Sequence, residues 1–386
     1  MGRIDAYITG TGAFLPNSPV TNDRIEDVLG FVNAFSSRTK KRVLAINGIK
    51  ARYYAIDPAT GLQTHTNAGM TAEAVRKAAE RAGVTTEELD CLACGTSSAD
   101  QLVPGHGTMV HAELGCPPCE VATTTGVCCS GMAALKYASM HVMTASGRQA
   151  AATGSELVSV SLRASHFRPQ IQLMKEEIDR EPMLAFENDF LRWMLSDGAG
   201  AAWVADAPRR GGLSLRIDWI DLLSYANESE TCMYAGMRKS EDGSVIGYRS
   251  VSDPLELCRG GYLSLAQDVR VLQDNLPLLM RKAISRVRGK RDLRADRIDW
   301  LLPHYSSEWF RQPLYDGLAE LGLSVPFSKW FSNLTTKGNT GSASIYIMLE
   351  ELISSELVKP GERILCVVPE SARMSFAFMQ LTVTEA

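Results

Sequence analysis

The chain has 386 residues, 45% of them hydrophobic and 22% charged, with a formal net charge of −4. This is ordinary globular composition with enough chain for two packed halves, and the charge balance makes no global electrostatic case for nucleic acid or a membrane surface. The opening MGRIDAYITG lacks the apolar run of a signal peptide, and no stretch approaches the roughly 20 apolar residues of a membrane span. Nine cysteines over this length do not suggest a secreted disulfide scaffold, so a reducing cytoplasm is the expected setting.

Helical and strand-like patterns alternate, which points to an α/β architecture. Thr71 to Ala82, rich in Ala, Glu, Lys and Arg, reads as a helix stopped near Gly83. "LDCLACGTSS" is a short apolar run reading as a buried strand, and "EVATTTGV" is a second strand. A helix is predicted from about Ser130 to Ala145, and "AWVADA" as another strand. The second half repeats this grammar: an amphipathic helix in "LQDNLPLLMRKAISRVRG", an apolar strand "IDWLLPH" that begins after Asp299 as the first-half strand begins after Asp90, and a small-residue turn feeding a buried helix in "GNTGSASIYIMLEELISSELV". Residues 160 to 190 and 225 to 255 are more polar and irregular, and are expected as insertions or caps over a site.

Cys128 and Cys129 stand at the mouth of a predicted helix. A thiol in a helix's first turn feels the positive end of the macrodipole, which favours the nucleophilic thiolate. The same turn exposes backbone N–H groups that can hold a thioester oxyanion. One of the pair is therefore a candidate nucleophile; the alternative is that both are small core residues. Cys91-x-x-Cys94 and Cys116-x-x-Cys119 have the spacing of a four-thiolate zinc site. Cys91 and Cys94, however, fall in a strand-like run, where residues i and i+3 point to opposite faces, so no metal is expected. Of six histidines, His304 directly follows an apolar strand, where α/β sheets present reactive groups. Asn339 sits in a Gly-flanked turn before a buried helix. Together they offer two hydrogen bonds to a thioester carbonyl or an enolate; taken singly, they read as a core histidine and a helix cap.

"VCCSGM", "WLLPH" and "KGNTGSAS" resemble, in order and spacing, the Cys-His-Asn site of the β-ketoacyl-ACP synthase III family. "YITGTGAFLPN", "NGIKARYYA", "LVPGHG" and "LSDGAGAAWV" extend the resemblance over nearly the whole chain. The resemblance implies the thiolase fold: two pseudo-repeated βαβαβ halves, 1–205 with the nucleophile and 206–386 with His and Asn, in α-β-α-β-α layers. It selects Cys129 as nucleophile, because the family's Cys precedes a small residue, Gly, then Phe or Met, and it leaves Cys128 to packing. A homodimer is implied by the resemblance alone, and no cofactor.

The departures from the family pattern carry information. After His304 the chain reads Tyr305-Ser306-Ser307 instead of Gln-Ala-Asn. Arg42 and Ile46 stand where coenzyme A users have a stacking Trp and Arg, which turns the expected carrier toward acyl carrier protein (ACP). "RTKKR" (38 to 42) and "RVRGKRDLR" (286 to 294) are the candidate basic docking patches. "PESARMSFAF" replaces a Gly-rich turn near the C-terminus, where a backbone oxyanion donor is expected. "FLPNSPVTNDRIEDVLG", "NGIKARYY", "GVCCSGMAALK" and "PESARMSFAFMQLTV" resemble the ketosynthase/cyclases that make dialkylresorcinol and stilbene precursors. That branch joins a β-ketoacyl group to a second acyl thioester and closes a 2,5-disubstituted cyclohexane-1,3-dione. In this reading Cys129 is acylated and His304 and Asn339 stabilise the attacking carbanion; Glu156, which follows a strand on a Gly-Ser turn in "ATGSELV", is the candidate carboxylate for ring closure, the alternative being an ordinary buried or capping glutamate. The alternatives are a linear synthase III-type condensation, acyl transfer to oxygen or nitrogen, and a zinc-stabilised or degenerate binding partner.

Overall fold

The computed structural model describes residues 4–32, 38–166, 190–240 and 242–386. Most of the expected cap over 160–190 therefore lies outside the described residues.

Among the described residues nine strands make one hydrogen-bonded set: β1 (Tyr7–Phe14), β2 (Cys91–Thr96), β3 (Glu120–Thr125), β4 (Gln149–Glu156), β5 (Gly198–Ala205), β6 (Leu213–Ser224), β7 (Trp300–Pro303), β8 (Arg363–Glu370) and β9 (Ser375–Glu385). Their order is β7-β8-β9-β6-β1-β5-β4-β2-β3. The halves meet where β1 pairs with β6, at Tyr7–Arg216 and Ile8–Leu215. The helices that matter to the site are α1 (Arg38–Asn47), α2 (Asn67–Ala82), α3 (His106–Leu114), α4 (Cys128–Met143), α5 (Val269–Lys290), α6 (Arg311–Glu320) and α7 (Ser344–Ser354).

Strand periodicity sorts the chain into layers. Side chains alternate across a strand with period two. On β2, Cys91 and Ala93 join a core with α4 and α7, while Leu92 and Cys94 join a separate core with α2 and α3. On β8, Ile364, Cys366 and Val368 face α4 and α7, while Leu365 and Val367 face the core built with α5 and α6. The central core also takes Ala202 and Val204 of β5 and Ala377, Met379 and Leu381 of β9. The order is thus outer helices, half-sheet, α4 with α7, half-sheet, outer helices. This is the expected five-layer thiolase arrangement. Cys91 and Cys94 lie in different cores, so they do not share a site.

The two aspartates noted in the sequence do equivalent work. Asp90 accepts the backbone N–H groups of Arg148 and Gln149 at the start of β4, at 2.7 and 2.9 Å. Asp299 accepts the N–H of Arg363 at the start of β8, at 2.9 Å. α2 starts at Asn67, before the expected Thr71, because the Thr66 side chain caps it by accepting from Gly69 N–H. The described residues of 225–255 form short strands, a helical turn at Tyr248–Ser250 and the start of a short helix at Pro254; Met233–Tyr234 pairs with Ala266–Gln267, and Met233 and Gln267 reach the pocket described next.

Candidate active site

α4 begins at Cys128, two residues before the expected start, so both cysteines occupy its first turn. Glycine at 131 lets this helix touch the second half. A Cβ there would stand 2.5 Å from the Ser342 carbonyl oxygen, closer than any side-chain carbon tolerates. Tyr346 of α7 donates its hydroxyl to the Gly131 carbonyl at 2.7 Å, locking the contact. The turn that carries Asn339 is thereby held against the helix that carries the thiols.

His304 follows β7, and its backbone N–H bonds to the Val367 carbonyl on β8 at 2.8 Å. Its side chain is buried, and burial pushes its pKa down to about 4, so the imidazole is neutral near pH 7. Asn339 is fixed on both sides: its N–H donates to Met194, and its carbonyl accepts from Ser196. Its Oδ1 accepts the Gly341 N–H at 3.0 Å, which leaves the side-chain NH2 as a donor. His304, Asn339, Gly341, Val127 and Cys128 line one pocket, whose walls are otherwise mostly apolar, with Leu195, Met233, Leu272, Leu276 and Phe310 among them.

The paired thiols point differently. Cys128 lines the pocket. Cys129 directs its Sγ to the Val368 carbonyl at 3.3 Å. Its backbone N–H donates to Glu370 Oε2 at 2.9 Å, and the N–H of Val127 donates to the same oxygen at 3.0 Å. Both thiols are pushed well above the ordinary cysteine range, first by burial and then by the charge of Glu370. The expected lowering by the helix dipole is overridden by burial first and then by Glu370, which already occupies the positive end of α4. The C-terminal segment, where a backbone donor is expected, brings the Glu370 carboxylate to the first turn of α4. Sequence reasoning missed Glu370; the signal was an acidic residue where the related enzymes have a glycine-rich turn.

Glu156, at the end of β4, is buried and accepts four hydrogen bonds: from Ser97 Oγ (2.5 Å), Ser98 Oγ (2.7 Å), Ser342 N (3.2 Å) and Ser97 N (3.4 Å). Burial raises its pKa and these donors pull it back. Gly341 (φ +53°) separates it from the pocket, and a Cβ at 341 would meet the Glu156 side chain at 2.8 Å.

The remaining sequence signals resolve as follows. Cys116 and Cys119 approach His111, all with ligand atoms within 4.8 Å of one another, and Cys91 groups likewise with Glu120 and His141; Cys94 joins neither group. Neither group lines the pocket. Arg42 and Ile46 are exposed on α1. The first basic patch is weaker than it reads, since Lys40 turns inward to Glu26 at 2.8 Å and over the Trp193 ring. In the second, Lys290 and Arg291 both pair with Asp221, and Arg294 pairs with Asp296. Among the described residues no helix is long and apolar enough to cross a membrane.

Residues 289–368 match the family model "3-Oxoacyl-[acyl-carrier-protein (ACP)] synthase III C terminal". The chain is 24% identical over 361 residues to the β-ketoacyl-[acyl-carrier-protein] synthase III of Porphyra purpurea, covering 92% of this chain and 93% of that protein. Its fold is similar to AbyA1, a tetronic acid condensing enzyme, with TM-score 0.77, 20% identity, and coverage of 98% of this chain and 99% of that one. It is also similar to the 3-oxoacyl-[acyl-carrier-protein] synthase III of Aquifex aeolicus, with TM-score 0.68, 20% identity and the same coverage. The layered fold and these likenesses show a chain with the thiolase fold, similar over nearly its whole length to 3-oxoacyl-ACP synthase III enzymes, and an enzyme of the condensing acyltransferase type.

Proposed function

We propose that the protein is a ketosynthase/cyclase that joins β-ketoacyl thioesters, carried on ACP, into a 2,5-disubstituted cyclohexane-1,3-dione. The observation that carries the reading is one mostly apolar pocket in which His304, Asn339 and the first turn of α4 converge. Cys129 attacks one acyl thioester and becomes acylated. The second substrate places its carbonyl against the neutral His304 imidazole and the Asn339 NH2, two donors in a water-poor site. They stabilise the carbanion that attacks the acyl-enzyme, and an apolar wall suits the acyl chains of both substrates. Glu156, behind the side-chain-free Gly341, takes the proton for ring closure. The enzyme works as a homodimer in the cytoplasm, each chain combining the Cys half, 1–205, with the His and Asn half, 206–386.

Cys128 also lines the pocket with His304 and Asn339, and that observation supports a second reading in which Cys128 is acylated. Intact-protein mass spectra of the Cys128→Ala and Cys129→Ala variants after incubation with a β-ketoacyl thioester separate the two. Label retained by Cys128→Ala and lost by Cys129→Ala is expected; the reverse assigns the nucleophile to Cys128. Product NMR then decides the branch: a cyclic dione supports the cyclase reading, and a linear β-ketoacyl product reduces the activity to ordinary condensation.

A further inference from the structure

We propose that Glu370 is the proton partner of the nucleophilic thiol, taking the Cys129 proton as the thioester is attacked and returning it to the departing carrier thiol. The inference rests on the Cys129 reading above. Glu370 is 9% exposed, and its Oε2 sits on the backbone N–H groups of Val127 and Cys129. These are the N–H groups at the positive end of α4, where an incoming oxyanion would otherwise be received.

A second anion beside this carboxylate is costly in a buried site. A thiolate at Cys129 and a carboxylate at Glu370 therefore do not coexist comfortably. The titratable groups around Glu370 are the two thiols of α4, each raised by its charge. Glu156 bears on Cys128 as well, and the neutral His304 lies across the pocket. Burial favours the neutral Glu370 carboxyl and the two N–H groups favour its anion. Moving the thiol proton onto Glu370 keeps one negative charge at the helix end throughout, so no second buried anion is made. The step balances. The Cys129 S–H proton passes to the carboxylate and Sγ bonds to the acyl carbon. The carbon–sulfur bond to the carrier breaks, and the Glu370 proton passes to the released carrier sulfur.

The test measures the rate of acylation by an octanoyl-N-acetylcysteamine thioester from pH 6 to 9, with the labelled residue found by peptide mass. Glu370→Gln keeps an oxygen for both N–H groups, so its fold is expected to persist, and thermal melting checks this. The expected result is a Cys129 label in the wild type and a loss of about 100-fold or more at pH 7 in Glu370→Gln. The residual rate of that variant should climb about tenfold per pH unit. Glu370→Asp, which retains a carboxylate, should recover much of the rate, guarding the result against a folding defect. A Glu370→Gln rate within about threefold of wild type reduces Glu370 to a helix cap, and a faster rate makes it a plug; either overturns the assignment while the Cys129 reading stands. A wild-type label on Cys128, or none, overturns the nucleophile reading and the pairing with it.

Discussion

The backbone N–H of Ser342 meets the Glu156 carboxylate at 3.2 Å, tying the turn that carries Asn339 to the end of a first-half strand. The two halves of the proposed site are thus joined at a buried carboxyl group. Glu156→Ala would leave the Ser342 N–H and two serine hydroxyls without their acceptor. It should destabilise the protein by about 2 kcal/mol or more, read as a lower urea midpoint with unchanged slope. Glu156→Gln retains an acceptor and serves the chemical question. It should still form the acyl-enzyme and the first carbon–carbon bond, but release linear product. A cyclic dione from Glu156→Gln at the wild-type rate would leave the residue with the structural role alone.

His304 makes a prediction about acid stability. Its folded pKa, about 4, lies below the ordinary 6.5, so between those values the unfolded chain binds the proton and the folded one does not. The contribution is absent above pH 6.5, and stability falls as pH drops from 6.5 toward 4, by up to roughly 3 kcal/mol. His106, also pushed to about 4 by burial, acts with the same sign. Asp197, raised to about 6, acts against both, because its folded carboxyl binds the proton more readily than the unfolded one. The His304→Gln variant isolates the term: its urea midpoint should fall less steeply than wild type across this window. The same neutrality predicts that condensation shows no His304 titration between pH 6 and 8. His304→Gln should acylate normally but condense about 100-fold more slowly.

Much of this was legible in the sequence because alternation is. "LDCLACGTSS" and "IDWLLPH" read as apolar strands, and the structure makes strands of Cys91–Thr96 and Trp300–Pro303. The Cys-His-Asn segments were legible for another reason: Cys129 and His304 sit where a strand hands over to a helix or turn, and Asn339 lies in the turn between the helix Leu334–Lys337 and the helical segment that opens α7. Glu370 was hidden because its role depends on register. The departure from a glycine-rich turn was visible, but only the pairing of β8 with its neighbours decides whether residue 370 reaches α4. The basic patches show the same limit: Lys40 and Arg291 pair with Glu26 and Asp221, and those partners are invisible in a charge run.

Gly131 is a test of the close approach between halves. Gly131→Ala puts a Cβ 2.5 Å from the Ser342 carbonyl and 3.0 Å from the Tyr346 ring. The carbonyl is backbone and held by its turn, so α4 and that turn must move apart. A loss of about 1–3 kcal/mol is expected. The signature is that condensation falls more than acylation, because the move carries Asn339 away from the thiols while leaving each half intact. Equal loss of both half-reactions would place the damage in the helix alone.

The carrier can be tested at α1. Lys41 and Arg42 are exposed on this helix, and Ser307 contacts it through a bond to the Ile46 carbonyl at 3.4 Å, close in sequence to the pocket residues Ser306 and Phe310. Exposed cations near a pocket mouth raise the encounter rate with an acidic carrier and are screened by salt. Lys41→Glu with Arg42→Glu should therefore raise KM for ACP-borne substrates several-fold at low ionic strength, with kcat little changed. The difference from wild type should shrink as salt rises toward 0.5 M. The same acyl group on N-acetylcysteamine, which has no acidic surface, should be turned over equally by both proteins. An equal effect on both substrates would place these residues in the fold of α1 and return carrier docking to another surface.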